Sequence, residues 1–287
     1  MALGVEPPVD SPRTLAAAYA LLADPGPAWR PVAGGTDLLV QLAADLAPPP
    51  ARVLDLGRLD ELRGIGVDGD ALVLGALTTY TEIRRSNRCR EVLPALVEAA
   101  ATIGAAQIQN RGTLGGNVAN ASPAGDTLPL LMATGAEIVV GGPRGERVIP
   151  ADRFWVGYRQ TALSMDELVL RIRIPIVMGR EVRFRKVGTR RAQAISKVVM
   201  ALAWGEADGA WHDVRLALGS VAPVPVRART TEAVLEGRRP TAEVADRAAV
   251  TLAGELQPID DVRSTAEYRR TVAARVLHRL LREAGGW

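Results

Sequence analysis

The chain has 287 residues, 48% hydrophobic and 23% charged, a composition able to bury the core of one large domain or two ordinary ones. Its 35 basic and 32 acidic side chains are intermixed and leave a net charge of +3, which excludes the one-signed surface of a nucleic-acid binder. A single cysteine, Cys89, excludes an internal disulfide and a cysteine-held metal or iron–sulfur site, and two histidines, His212 and His278, are too few for a histidine cluster.

Met1–Asp10 lacks the basic start and apolar stretch of a secretory signal, and no apolar run nears the ~18 residues of a membrane span. The expected location is the cytoplasm. The first predicted element is a helix over 10–24, capped by Asp10 or Ser11 and presenting Leu15, Tyr19 and Leu22 along one side. Residues 29–45 read as a short strand, a glycine corner and a renewed apolar run. Strands follow at 51–59 and 71–77, with Gly69-Asp70 as the turn before the second. The run TYTE (79–82) is a capping box opening a short helix, and 90–104 is predicted as one helix ending near Gly104.

Further strands are predicted at 136–140, 146–150 and 168–175, the first two joined by the turn GGPRG. Beyond a boundary near 176–180 the pattern changes. Stretches 180–187, 195–209 and 211–221 read as antiparallel strands with Asp208-Gly209 at a tight turn, and 230–237, 241–256 and 265–285 as helices. The last repeats Tyr268, Val272, Val276 and Leu280 every four residues, an amphipathic seam with His278 at its boundary. Trp155, Trp204 and Trp211 read as packing residues. The fold class is therefore α+β.

Three stretches carry candidate chemistry. In PVAGGTDLL (31–39), Gly34 and Gly35 expose successive backbone N–H groups, the arrangement of an anion-binding nest; Thr36 adds a hydroxyl, and Asp37 serves as a cap or accepts from a ligand hydroxyl. An ordinary strand–helix corner explains the same residues. In NRGTLGGNVANASPAGD (110–126), Gly112, Gly115 and Gly116 remove side chains where a ligand would lie, Thr113 and Asn117 supply hydrogen bonds, and Ser122, Pro123 and Asp126 form a second polar corner. A series of exposed turns is the competing reading. The spacing is neither a dinucleotide G-x-G-x-x-G nor a P-loop. In FRKVGTRRAQAISKV (184–198), Lys186, Arg190, Arg191 and Lys197 surround Gly188, a basic loop read first as solvated, with presenting a cation to an electron-rich cofactor or docking a partner as the alternatives. No hydrolase motif accompanies these, so neither a catalytic residue nor a metal ligand is assigned.

Together, AGGTDLL, then IGAAQIQNRGTLGGNVANASPAGDTLP some seventy residues later, then RKVGTRRAQAISKV and a final PIDDVRSTAEYRRTVAARVL, resemble the FAD-binding medium subunit of molybdenum hydroxylases, the group of xanthine, aldehyde, nicotine-type and carbon monoxide dehydrogenases. The resemblance spans nearly the whole chain. It implies a two-lobed FAD-binding domain of the p-cresol methylhydroxylase type over 1–176, with lobes of about 1–57 and 58–176, and a smaller α+β C-terminal domain over 177–287. By position, Val32, Ala33, Gly34, Gly35, Thr36, Asp37 and Leu38 match the first FAD loop; Thr113, Gly115, Gly116 and Asn117 match the second. Both glycine corners are expected at the diphosphate. Asp126 matches an acidic position that accepts hydrogen bonds from the cofactor, Val169 an apolar contact, and Lys186 a lysine near the flavin. Ile103 falls where some relatives place an aromatic residue against the flavin ring. One cysteine excludes the cysteine-rich iron–sulfur loop of benzoyl-CoA-reducing relatives.

The resemblance implies electron transfer. A large molybdenum-cofactor subunit oxidises the substrate, a small subunit carries the electrons through [2Fe-2S] clusters, and the FAD of this chain delivers them to NAD, a quinone or oxygen, within a heterotrimer that is often doubled. Two other readings compete: a stand-alone FAD-dependent reductase of the same fold, and a scaffold subunit that has lost its flavin.

Overall fold

A computed structural model describes residues 7–46, 48–190 and 192–287. The first part alternates strands and helices: β1 (Val9–Asp10), α1 (Leu15–Leu22), β2 (Trp29–Val32), α2 (Leu38–Ala43) and β3 (Arg52–Asp55). The strands form a parallel sheet in the order β1-β3-β2, which leaves the carboxyl end of β2 to feed the loop 33–37. Then come β4 (Ile65–Asp68), β5 (Ala71–Gly75), α3 (Tyr80–Arg85), α4 (Asn87–Val92), α5 (Pro94–Thr102), α6 (Ala106–Arg111), α7 (Leu114–Asn120) and α8 (Leu128–Thr134). They are followed by β6 (Glu137–Gly142), β7 (Gly145–Pro150), α9 (Ala151–Phe154), β8 (Trp155–Gly157), β9 (Gln160–Thr161) and β10 (Leu168–Pro175). A five-stranded antiparallel sheet runs β4-β5-β10-β6-β7, and β8 and β9 form a separate hairpin. The chain ends with β11 (Glu181–Val187), β12 (Val198–Ala207), β13 (Ala210–Gly219) and β14 (Val226–Arg227), an antiparallel sheet in that order, and α10 (Arg229–Leu235), α11 (Ala242–Glu255) and α12 (Ala266–Gly285).

The architecture is α+β, as expected. Strand β12 explains how its last sheet joins the rest. Successive side chains of a strand point to opposite faces. Val199, Ala201 and Ala203 pack into the core beneath the five-stranded sheet, while Val198, Met200, Leu202 and Trp204 pack against α10–α12. Alanines at 201, 203 and 217 keep the first face low, and α8 lies on it.

Several local expectations need correction. Helix α1 starts later than predicted: Thr14 is its cap, accepting from Ala17 N, while Asp10 lies in β1 and the Ser11 hydroxyl donates to Asp55. The single helix over 90–104 is two, broken at Leu93 because Pro94 supplies no N–H and excludes helical backbone before it. The strand pairing of β4 with β5 was not foreseen, nor were α6 and α7 in place of a turn series. The buried face of α12 lies one residue on from the predicted seam, at Arg269, Ala273, Leu277 and Leu281, with Leu280 shared by both; Tyr268 is 41% exposed. Arg269 occupies a core position because Asp261 and the Ser220 carbonyl accept from its guanidinium. The predicted capping box closes as expected, Glu82 N donating to the Thr79 hydroxyl and Thr79 N to the Glu82 carboxylate. Trp155, Trp204 and Trp211 are buried, the last two stacked. His278 is half-buried within α12, at the edge of its apolar face, beside Asp246.

Candidate functional site

A cleft runs between the loop after β2 and the α6–α8 segment. It has two connected compartments, of about 340 Å³ and 910 Å³, that share Thr36, Asp37, Ile103, Ile108, Asn117 and Asn120. Every residue matched above to the cofactor lies on its wall. The first compartment takes 32–38, Thr113, Gly115, Gly116 and Val169; the second takes Asp126 and Lys186; Ile103 and Asn117 face both. Val169 is placed by a bulge in β10, between its pairings at Val169 and Arg171 with β6.

The two glycine corners do different work. Among the described residues, no chain acceptor takes the N–H of Gly34, Gly35, Thr36 or Asp37. The second corner is already bonded: Leu114 N donates to Thr78 O, Gly115 N to Ala76 O, Gly116 N to the Thr113 hydroxyl and Asn117 N to Thr113 O, all at 2.9–3.0 Å. The first loop therefore offers backbone donors, whereas the second offers a surface. The glycines divide likewise. A Cβ on Gly34 would stand 1.8 Å from Arg111 O, and one on Gly115 2.7 Å from Ala76 O, so both are glycine because chain packs on chain. Gly35 needs its positive φ of +74°. A Cβ on Gly116 meets only the Thr113 hydroxyl, at 2.9 Å, with the Ala33 methyl next at 4.0 Å. Gly116 alone among these fits the expectation of a glycine that keeps the cleft clear.

The polar side chains also sort themselves. Asp37 precedes α2 but makes no capping hydrogen bond, so of its two expected roles the cap is not the one it fills. Partial desolvation pushes its carboxyl up, against the influence of Arg159 and the Asn120 side chain, which favour its charge. Arg159, at the β8–β9 tip, donates to Asn120 Oδ1 at 3.0 Å. Asn117 accepts from the Thr127 hydroxyl at 2.6 Å. In the second compartment Asp126 and Lys186 form a buried ion pair, 2.6 Å apart, with the Ser196 hydroxyl on the other carboxylate oxygen and the Thr102 carbonyl on the ammonium. Burial pushes Asp126 up despite Lys186 and Ser196. Lys186 is thus no free cation, and the pair presents a neutral unit to the cleft. Of the basic loop, Arg190 folds onto its own carbonyls and Lys197 stacks on Tyr268, so neither joins the site; Arg191 lies outside the described residues.

Residues 7–177 match the family model described as FAD binding domain in molybdopterin dehydrogenase, and 183–284 match CO dehydrogenase flavoprotein C-terminal domain. The chain belongs to this flavoprotein family. It is 32% identical to the carbon monoxide dehydrogenase medium chain of Hydrogenophaga pseudoflava, over 96% of this chain and 95% of that one. It is 30% identical to the xanthine dehydrogenase FAD-binding subunit of Escherichia coli O157:H7, over 95% of each. The structure of carbon monoxide dehydrogenase from Hydrogenophaga pseudoflava superimposes with a TM-score of 0.91 at 32% identity, covering 96% of both chains. Quinoline 2-oxidoreductase from Pseudomonas putida 86 gives the same TM-score at 26% identity, covering 100% of this chain and 99% of that one. The flavoprotein carries an FAD-binding domain, and its relatives are subunits of oxidoreductases.

Several wall residues escaped the sequence reading, Tyr80, Ser196 and Glu167 among them. Glu167 buttresses the flavoprotein's first compartment by accepting from Arg147 Nε and Nη2 at 2.8 and 2.7 Å and from Ser164 N at 2.8 Å. Arg147 first, then Ser164, holds its carboxyl down at about 2. A depressed carboxylate stabilises the fold fully above its unfolded value near 4.5 and loses that contribution as pH falls towards 2. Glu167→Gln is therefore expected to melt below the wild type at pH 6, with the gap closing towards pH 2. Melting curves across that range check it; a gap independent of pH would count against this role.

Proposed function

We propose that the chain is the electron-transferring FAD subunit of a multi-subunit molybdenum hydroxylase, with the loop 32–38 and residues 113–117 holding the cofactor's diphosphate. The observation that carries the reading is the row of four N–H groups from Gly34 to Asp37. Backbone donors without acceptors are costly unless a ligand or water meets them, and a diphosphate is the anion such nests take. The facing wall fits that group, since Gly116 leaves it bare and the Asn117 amide nitrogen has no partner among the described residues while its oxygen is bonded. Ile103, Asp126 and Lys186 would border the flavin ring in the larger compartment, and Val169 would add an apolar contact in the smaller.

When bound, FAD supplies a two-electron centre between [2Fe-2S] clusters and a terminal acceptor, which is NAD, a quinone or oxygen. The chain's own residues bind and orient it. On this reading 1–176 is the FAD-binding domain, with lobes of about 1–57 and 58–176, and 177–287 is the C-terminal domain. The partners are a small [2Fe-2S] subunit and a large molybdenum-cofactor subunit, assembled as a dimer of heterotrimers in the cytoplasm.

The test is a visible spectrum of the native assembly, with the released cofactor identified and the accompanying chains counted. FAD, iron–sulfur absorbance and two partner chains support the proposal. Full reductase activity in the isolated chain would replace it with a stand-alone enzyme. Gly116→Asp is expected to retain less than a tenth of the wild-type FAD, because it sets a carboxylate where the diphosphate lies. Gly116→Ala disturbs only the Thr113 cap, worth about 1 kcal/mol, and should keep most of it. Flavin content per chain distinguishes the two; equal occupancy would remove the diphosphate from this wall.

A further inference from the structure

Tyr80 opens α3, where the capping box of Thr79 and Glu82 fixes its backbone. The side chain is 3% exposed and lines the first compartment. Its ring edge lies 3.1 Å from where a Cβ on Gly112 would stand, and that same point is 3.4 Å from the Thr36 hydroxyl. The absent side chain of Gly112 thus makes room for the phenol beside the first loop. Asp37, on the shared wall, and Asp126, in the second compartment, both act electrostatically on the phenol.

Its hydroxyl makes no hydrogen bond with the described residues. Neither is it among the sealed polar atoms without partners, which are Trp29 Nε1, Arg52 Nη2, Arg180 Nε, Ser220 Oγ and Arg269 Nε. An unpartnered hydroxyl that is not sealed opens on the cleft. Leaving such a group unmatched when a ligand displaces water is unfavourable, so whatever fills the cleft should bring an acceptor. Burial, with Asp126 and Asp37 beside it, pushes the phenol up and keeps it protonated, a neutral donor at any working pH.

We propose that the Tyr80 hydroxyl donates a hydrogen bond to an oxygen of the ribityl–diphosphate stretch of bound FAD, making Tyr80 a cofactor-binding residue supplied by neither glycine loop. The inference rests on the FAD reading above. The donor suits that stretch because Tyr80 stands beside Thr36, where the compartments meet, and because a neutral phenol meets an anionic oxygen without adding charge beside two carboxylates.

The full chain, stripped of flavin and titrated with FAD, tests it through Tyr80→Phe, which removes one oxygen and keeps the ring. The expected result is a Kd raised about five- to tenfold, with the flavin-free melting temperature unchanged within about 1 °C. An unchanged Kd overturns the proposal. So does a flavin-free melting temperature several degrees lower, which would make the hydroxyl structural. Failure of the unmutated chain to bind FAD would instead overturn the cofactor reading, and this inference with it.

Discussion

Gly34→Ala is expected to cost at least about 3 kcal/mol of stability and to empty the site of most of its FAD. The added methyl would stand 1.8 Å from Arg111 O, 2.5 Å from Arg111 C and 3.1 Å from Gly112 N, all backbone atoms that no rotamer can move aside. Overpacking against movable side chains costs about 1–3 kcal/mol, so separating two stretches of backbone belongs at or above the top of that range. The displaced segment is the one carrying the four unpaired donors, which ties the loss of flavin to the loss of stability. Gly35→Ala is the informative contrast. Its Cβ meets nothing closer than 3.5 Å, so its cost is the left-handed backbone alone, about 1–2 kcal/mol. Denaturation midpoints and flavin content of the two variants settle the order. Equal costs would mean that the loop is glycine-rich for its turn and not for its contact with Arg111.

That contrast also marks the limit of the sequence. Local chemistry was legible where it is self-contained: the Thr79–Glu82 box, the Asp208-Gly209 turn with positive φ at both residues, the strand following Trp29 into its glycine corner. The candidate site was legible as a set of residues, because the glycine motifs are long and adjoin polar groups at fixed offsets. What each residue does there was not legible. Gly34 is constrained by Arg111, seventy-seven positions away in the chain, and no window of sequence contains both. A reading that assigns every glycine to the ligand therefore overcounts, and most of the cluster maintains the cleft rather than lining it with donors. The buried face of α12 was missed for a related reason. A charged Arg269 at a core position breaks an apolar count, and only the tertiary partners Asp261 and Ser220 make it affordable. Tyr80 and Ser196 lie inside stretches that were read, but nothing local marks either side chain as facing the cleft.

The second large effect concerns the ion pair at the far end of the cleft. Lys186→Met is expected to destabilise the protein by about 3–5 kcal/mol at neutral pH, the cost of leaving one member of a buried pair uncompensated. Lys186 and Asp126 have side chains only 8% exposed, and without the ammonium the carboxylate retains Ser196 alone. Adding Asp126→Asn to the same chain should recover most of the loss, since the asymmetry lies in the stranded charge and not in the missing lysine. The pH dependence follows from the sign of the shift. Burial raises the Asp126 carboxyl above its unfolded value, so its ionisation opposes folding as pH rises through the folded value. Removing Lys186 takes away the largest counterweight and raises it further. The deficit of Lys186→Met relative to wild type is therefore widest at alkaline pH and shrinks as the medium is acidified towards the ordinary carboxylate range. Denaturation at pH 8 and pH 5 measures it: a deficit that stayed constant, or that the double variant failed to relieve, would mean that Lys186 stabilises the cleft through its packing and its bond to Thr102 rather than through its charge.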